Sequence, residues 1–136
     1  LVSKRIWDQV GGFSEEFNPG VASDPDFNMK LWSEGVRIFK GINDFKVYHF
    51  ASTVIKRINF SSKDKMNLKS KGNKTFLLKW GMSTKFFKKF YLKTNSKYTG
   101  PLIRPKKNLS FLLSLFLCKL HYFYIKLFYN KLYSKN

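Results

Sequence analysis

A single cysteine, Cys118, stands in the chain, so no internal disulfide can form, and the usage fits a reducing compartment. Acidic residues are scarce, eight against 26 Lys and Arg in 136 residues, for a formal net charge of +18. The scarcity is one-sided. Residues 1–50 hold seven of the acids against six basic residues, a net −1, whereas residues 51–136 hold only Asp64 against twenty, a net +19. A field of that sign attracts polyanions: nucleic acid, anionic lipid headgroups or nucleotide-linked substrates. A Lys-rich coding bias is the blander source of the same excess. No recognised nucleic-acid-binding motif accompanies the charge, and no internal repeat is visible. The signal-peptide order of basic, apolar and small residues is missing, as is an initiator Met before Leu1, so the opening reads as the middle of a longer protein.

The length suits one domain with a modest core. Ser3 is placed to cap a short helix over Lys4–Val10, stopped by Gly11, and Gly11-Gly12-Phe13 reads as a tight turn that drops an aromatic into the core. Ser14–Ala22, with Pro19-Gly20, reads as a loop. Asp24-Pro25 has the form of an N-cap followed by proline at the first helical position, for a helix running to about Glu34 and ended by Gly35. Val36–Lys40 and Phe45–Phe50 are short β-branched and aromatic runs, predicted as two strands. Ala51–Asn73 is polar and basic with weak periodicity and reads as a mobile connector. Thr75–Tyr91 returns to helical content, 92–107 is a linker, and Leu109–Tyr133 is dense in Leu, Phe and Tyr.

Val10-Gly11-Gly12-Phe13-Ser14-Glu15-Glu16-Phe17, then Ser23-Asp24-Pro25-Asp26-Phe27, Gly35 and Val47-Tyr48-His49-Phe50 follow one another in an order that resembles family 2 glycosyltransferases. Lys74–Gly81, with Lys79-Trp80-Gly81, is similar to a segment found downstream in that family. Two positions depart from the pattern: Ser23 replaces the glutamate of a Glu-Asp pair, and Ala22 the glycine before it. The family's Asp-x-Asp metal motif, carried upstream, has no counterpart in the sequence. The resemblance implies an α/β fold, the C-terminal part of a GT-A (Rossmann-like) domain over residues 1–52. A basic connector over 53–75 and a helical basic, amphipathic extension over 76–136 would follow it.

The resemblance also implies roles. Asp24 would be the base that takes the proton of an acceptor hydroxyl as it attacks the anomeric carbon; on local sequence alone it is a plain N-cap. Asp26 would either position the acceptor or interact with the helix dipole. Gly12 and Phe13 would line the acceptor and donor cleft, unless the glycine serves only a backbone need. His49 would complete a divalent-metal site for Mn or Mg, or else is a core histidine. Arg57 would set its charge against the diphosphate leaving group, or belongs to a solvated basic loop. Trp7 and Trp32 either stack on a sugar or pack in the core.

In Leu109–Tyr133, Lys119, His121 and Lys126 interrupt the apolar run, which argues against a full membrane span. Lys119 and Lys126 share one helical face opposite an apolar one, a pattern that suits a helix lying in the plane of an anionic leaflet. Packing onto the catalytic domain or a partner helix is the competing reading. The expectation is therefore part of a glycosyltransferase with a nucleotide-sugar donor and a glycan or lipid-linked acceptor. It would work at the cytoplasmic face of the cell membrane, with no nucleic-acid partner. Its competitors are a non-enzymatic basic module that binds anionic membrane or nucleic acid, its aromatics stacking on bases, and a decayed remnant without activity.

Overall fold

A computed structural model describes residues 2–18, 20–41 and 62–133. Helix α1 spans Lys4–Val10; the Ser3 hydroxyl accepts from the Ile6 N–H, and Gly11, at φ 70°, closes the helix with its own N–H on the Asp8 and Trp7 carbonyls. Gly12 follows at φ 57°, and a Cβ there would lie 2.8 Å from the Trp7 indole, so both backbone and packing require glycine. Phe13 differs from expectation. It is 52% exposed, resting on Trp7 and Phe27 at ring-centroid distances of 5.3 and 5.2 Å instead of entering the core. The residue that enters the core is Phe17, delivered by a single 3-10 turn over Glu15–Phe17.

Helix α2 spans Ser23–Ser33 and starts earlier than its proline suggests. Ala22, in the left-handed region at φ 69°, holds the N-cap position, and Ser23 anchors the first turn by donating from its hydroxyl to the Gly20 carbonyl at 2.7 Å. Asp24 is thus the second helical residue and not the cap. Pro25 is the third, where its missing N–H leaves nothing unsatisfied. Phe27, Met29, Leu31 and Trp32 are buried, and only the exposed residues at the two ends of the helix meet solvent freely.

The expected α/β architecture is not what the chain adopts. Helix accounts for 64% of the described residues, and no strand occurs among them. Val36–Lys40 has the β-branched content of a strand, but a strand needs a ladder; among the described residues this segment has the Val36 N–H on the Leu31 carbonyl at 3.0 Å and an isolated bond from the Leu102 N–H to the Arg37 carbonyl at 2.8 Å. The second expected strand, Phe45–Phe50, lies outside the described residues.

Helix α3 spans Ser62–Trp80, so the part of the expected connector from Ser62 onward is helical. Lysine and leucine are good helix formers, and the chain there needs no strong amphipathic stripe because only its last turns are buried. Gly72 marks where α3 crosses the loop before α2: a Cβ there would meet the Val21 carbonyl oxygen at 2.3 Å. Gly81, at φ 67°, ends α3. Ser83 then caps α4, Thr84–Phe87, accepting from the Phe86 N–H at 3.1 Å, and the helix continues as a π turn through Lys88–Leu92 to Lys93 at φ 49°.

Helix α5 spans Leu109–Tyr133, the segment expected from its composition. The Asn108 side chain caps it at the Phe111 N–H, 2.9 Å away. Two aromatic clusters hold the elements together. Phe17, Met29, Trp32, Phe76 and Phe87 join α2, α3 and α4, and Leu77, Phe86, Phe111, Cys118 and Ile125 seat α5 against α3 and α4. Phe76 and Phe87 therefore pack directly on residues 17–32, and α5 packs in turn on α3 and α4.

Candidate functional site

Asp26 has no solvent exposure, which for a carboxylate demands compensation. It has that compensation. One carboxylate oxygen, Oδ1, accepts from Trp80 Nε1 at 2.7 Å and faces Lys79 Nζ at 3.0 Å, and Oδ2 accepts from the Ser14 hydroxyl at 2.7 Å. Lys30 Nζ stands 4.0 Å from Oδ2 and donates to the Gly12 carbonyl at 3.0 Å. Lys79 also donates to the Ser14 oxygen at 3.1 Å and to Glu16. No buried side-chain nitrogen or oxygen among the described residues is left without a partner. Burial alone would lower the Lys79 pKa, but the hydrogen bonds and charges of Glu16 and Asp26 outweigh it and raise the ammonium above 10.5.

Each segment reaches the carboxylate for a local reason. The Gly11-Gly12 turn redirects the chain so that Ser14 faces α2, and α2 presents Asp26 on the side that carries Phe27 and Lys30. Lys79 and Trp80 form the last turn of α3, held in place by the close approach at Gly72 and ended by Gly81. Enclosed in this way, Asp26 cannot touch an acceptor; the side chain joins three segments of the chain.

Asp24 lies two residues earlier on the same helix and is exposed. None of the ion pairs or side-chain hydrogen bonds among the described residues uses it. Its backbone is anchored on both sides by Ser23 and Asp26, so an accessible carboxylate stands on a fixed turn. Next to α2, Trp7 and Phe13 are both partly exposed and meet edge to face at 5.3 Å, an open aromatic corner. Gly12 is buried beneath Trp7 and contributes its carbonyl to Lys30, so its contribution is to the backbone.

His49 and Arg57 lie outside the described residues. Among the described residues, no group of three His, Cys, Asp or Glu side chains is placed to hold a metal ion. Sequence reasoning missed Lys79 as a partner of Asp26. The signal was available in the Lys79-Trp80 pair, one charge and one indole donor at the end of an apolar turn, but nothing local says which carboxylate they serve.

The other prominent surface is α5. At about 100° per residue, Phe111, Leu115, Cys118, Tyr122 and Ile125 form the packed stripe, while Leu112, Leu113, Phe116, Leu117, Leu120, Phe123, Tyr124, Leu127 and Phe128 face away from it and are exposed. Lys119 and Lys126 stand at one border of this apolar face. Leu109–Phe128 is long and apolar enough to cross a bilayer by length and composition alone, with Lys119 and Lys126 interrupting it, and only 17% of its most apolar window is buried.

Comparison with known protein families, curated proteins and solved structures returns no match for this chain.

Proposed function

We propose that the chain is part of an enzyme that transfers a sugar from a nucleotide-sugar donor to an acceptor hydroxyl, in the manner of the family 2 glycosyltransferases its motifs resemble. The observation that carries this reading is the convergence on Asp26. The turn around Gly12 to Ser14, the Asp24-Pro25-Asp26 segment and the Lys79-Trp80 pair are three of the stretches that carry the resemblance, and they meet around one buried carboxylate although Ser14 and Lys79 stand 65 residues apart. Motifs assembled by chance have no reason to be joined by hydrogen bonds.

In this reading Asp26 sets the first turn of α2 and Asp24 acts. The exposed carboxylate takes the proton of an acceptor hydroxyl while that oxygen forms a bond to the anomeric carbon. The bond from that carbon to the nucleoside diphosphate breaks, its electron pair leaves with the phosphate, and configuration inverts. Trp7 and Phe13 offer apolar ring surface beside α2 on which a sugar can rest. His49, expected as a ligand for Mn or Mg, is outside the described residues.

The proposal extends to location. The outward face of α5 suits insertion into the headgroup region of an anionic membrane, with Lys119 and Lys126 at its border and the net +19 of residues 51–136 adding attraction. The work would then be done at the cytoplasmic face, on a glycan or lipid-linked acceptor. A non-catalytic membrane-binding module is the second reading, favoured by the same helix face and needing nothing from Asp24.

The test is Asp24→Asn in the complete enzyme. Transfer is expected to fall at least about a hundredfold, with nucleotide-sugar binding by calorimetry unchanged. Turnover close to that of the unaltered enzyme would remove Asp24 from the role of base.

A further inference from the structure

A cavity of about 380 Å³ opens between α2, the π turn and the segment leading into α5. Its polar lining is basic. Arg37, Arg104 and Lys107 face it together with Tyr91, while Trp32 and Phe111 supply its apolar wall. The fold builds this cluster on purpose-fitted backbone. The Leu102 N–H bonds to the Arg37 carbonyl at 2.8 Å, which draws the 102–107 segment alongside Arg37. The Arg37 guanidinium is fixed over the Trp32 ring at 4.0 Å and donates through one terminal nitrogen, Nη1, to the Trp32 and Val36 carbonyls at 2.6 and 2.8 Å. Burial pushes the Tyr91 hydroxyl up from its ordinary pKa and the Arg104 charge pulls it back, so the phenol keeps its proton and can donate beside two guanidinium groups.

Among the described residues, no carboxylate lines the cavity. Three cations gathered around one polar recess repel one another, and the ligand that relieves this is a compact anion able to take several donors at once. Phosphate fits: guanidinium forks match its oxygens, and lysine adds a point charge. The position of the recess narrows the source. Phe111, in its wall, belongs to the packed stripe of α5, and the next two residues, Leu112 and Leu113, open the exposed apolar face. A phosphate in the recess can have hydrocarbon attached to it lying along that face.

We propose that Arg37, Arg104, Lys107 and Tyr91 form a site for the phosphomonoester headgroup of a membrane lipid, which would fix the angle at which α5 meets the bilayer. The site rests on the membrane contact proposed above and adds a chemical preference to it: a terminal phosphate over a diester or carboxylate of equal charge.

The experiment is vesicle flotation of the full chain. Phosphatidylcholine vesicles carry either phosphatidic acid or enough phosphatidylserine to match the surface potential. The variants are Arg104→Gln with Lys107→Gln, and, as a control that removes the same charge elsewhere, Lys93→Gln with Lys97→Gln. All four positions are exposed, and Arg37 is left alone because it also holds two carbonyls. Unaltered protein is expected to prefer phosphatidic acid by roughly tenfold, the order of a single additional charge-assisted hydrogen bond. The Arg104/Lys107 variant should lose that preference but still bind phosphatidylserine vesicles, and the Lys93/Lys97 control should keep it. Equal binding to both vesicles, or a preference that survives in the Arg104/Lys107 variant, overturns the site while leaving the membrane contact standing. Absence of binding to every vesicle overturns both. Displacement of Tyr91 and Arg104 resonances by inorganic phosphate, without any lipid preference, would assign the recess to a soluble anion and overturn the lipid source.

Discussion

Trp80 donates its indole N–H to Asp26 at 2.7 Å, across 54 residues of chain. Without that bond and the Lys79 ion pair beside it, a carboxylate of zero exposure would have only Ser14 within direct hydrogen-bonding distance. The relationship fixes α3 to α2 at one point and gives the candidate site its rigidity.

Asp26→Ala should therefore be among the most damaging single changes in the chain. It strips two donors and a lysine of their acceptor, and breaking a buried pair from one side costs about 3–5 kcal/mol. Urea unfolding checks this; a loss below about 1 kcal/mol, the average for any point change, would contradict the account of Asp26 as a joint. Asp26→Asn keeps the shape and is expected to lose less.

Gly72→Ala separates two opposing effects. In a free helix, alanine is better than glycine by about 1 kcal/mol. Here the added methyl would sit 2.3 Å from the Val21 carbonyl oxygen, which is backbone and cannot swing aside. A net destabilisation of about 1–3 kcal/mol is expected, the usual cost of overpacking. A gain in melting temperature would mean that α3 does not cross the loop at that distance.

The alkaline limb of stability carries a signature. Lys79 and Tyr91 both have pKa values raised above their ordinary 10.5 and 10.0. A raised pKa means the folded state holds its proton more tightly, so the contribution is full below the unfolded value and is lost as pH rises through the folded one. Stability should fall as pH climbs past 10.0, and the fall should be shallower in a variant carrying Lys79→Met and Tyr91→Phe. An identical slope in both proteins would rule these groups out as its source.

Leu113→Ser, Leu117→Ser and Leu120→Ser, made together, test the exposed face of α5 without touching its packed stripe. These side chains are outside both clusters, so folding stability should change by no more than about 0.5 kcal/mol per site. Vesicle affinity should drop at least about tenfold, since burying a leucine is worth about 1.5–3 kcal/mol. Truncation of the whole helix is a poorer test, because it would also remove Phe111, Cys118 and Ile125 from the core. Undiminished sedimentation with vesicles in the triple variant would remove this face from membrane contact.

What was legible in the sequence was local. Ser3 and Gly11 bracket α1 through short-range hydrogen bonds, and the extent of α5 follows from one apolar run. The start of α2 was misread by about two residues: Asp24-Pro25 has the form of a cap and first helical residue, but the chain enters the helix through Ala22, in a left-handed conformation that alanine does not favour. The front of α3 was hidden by its polarity. Met66 and Leu68 are the only apolar residues from Lys63 to Lys71, so the hydrophobic period was weak. Val36–Lys40 reads as a strand because β propensity says only that a segment suits a ladder, not that a neighbour is there. At the site, Asp24 and Asp26 were both singled out, but which is enclosed and which is open depends on Lys79 and Trp80, and no short window contains both sides of that contact.

The first cluster has a consequence for how the protein is made. Phe17, Met29 and Trp32 are covered by Phe76 and Phe87. At about 5–20 residues per second during synthesis, a ribosome delivers the covering aromatics several seconds after the residues that wait for them. For that interval the nascent chain carries three large apolar side chains and a charge without its partners, a form suited to capture by a chaperone.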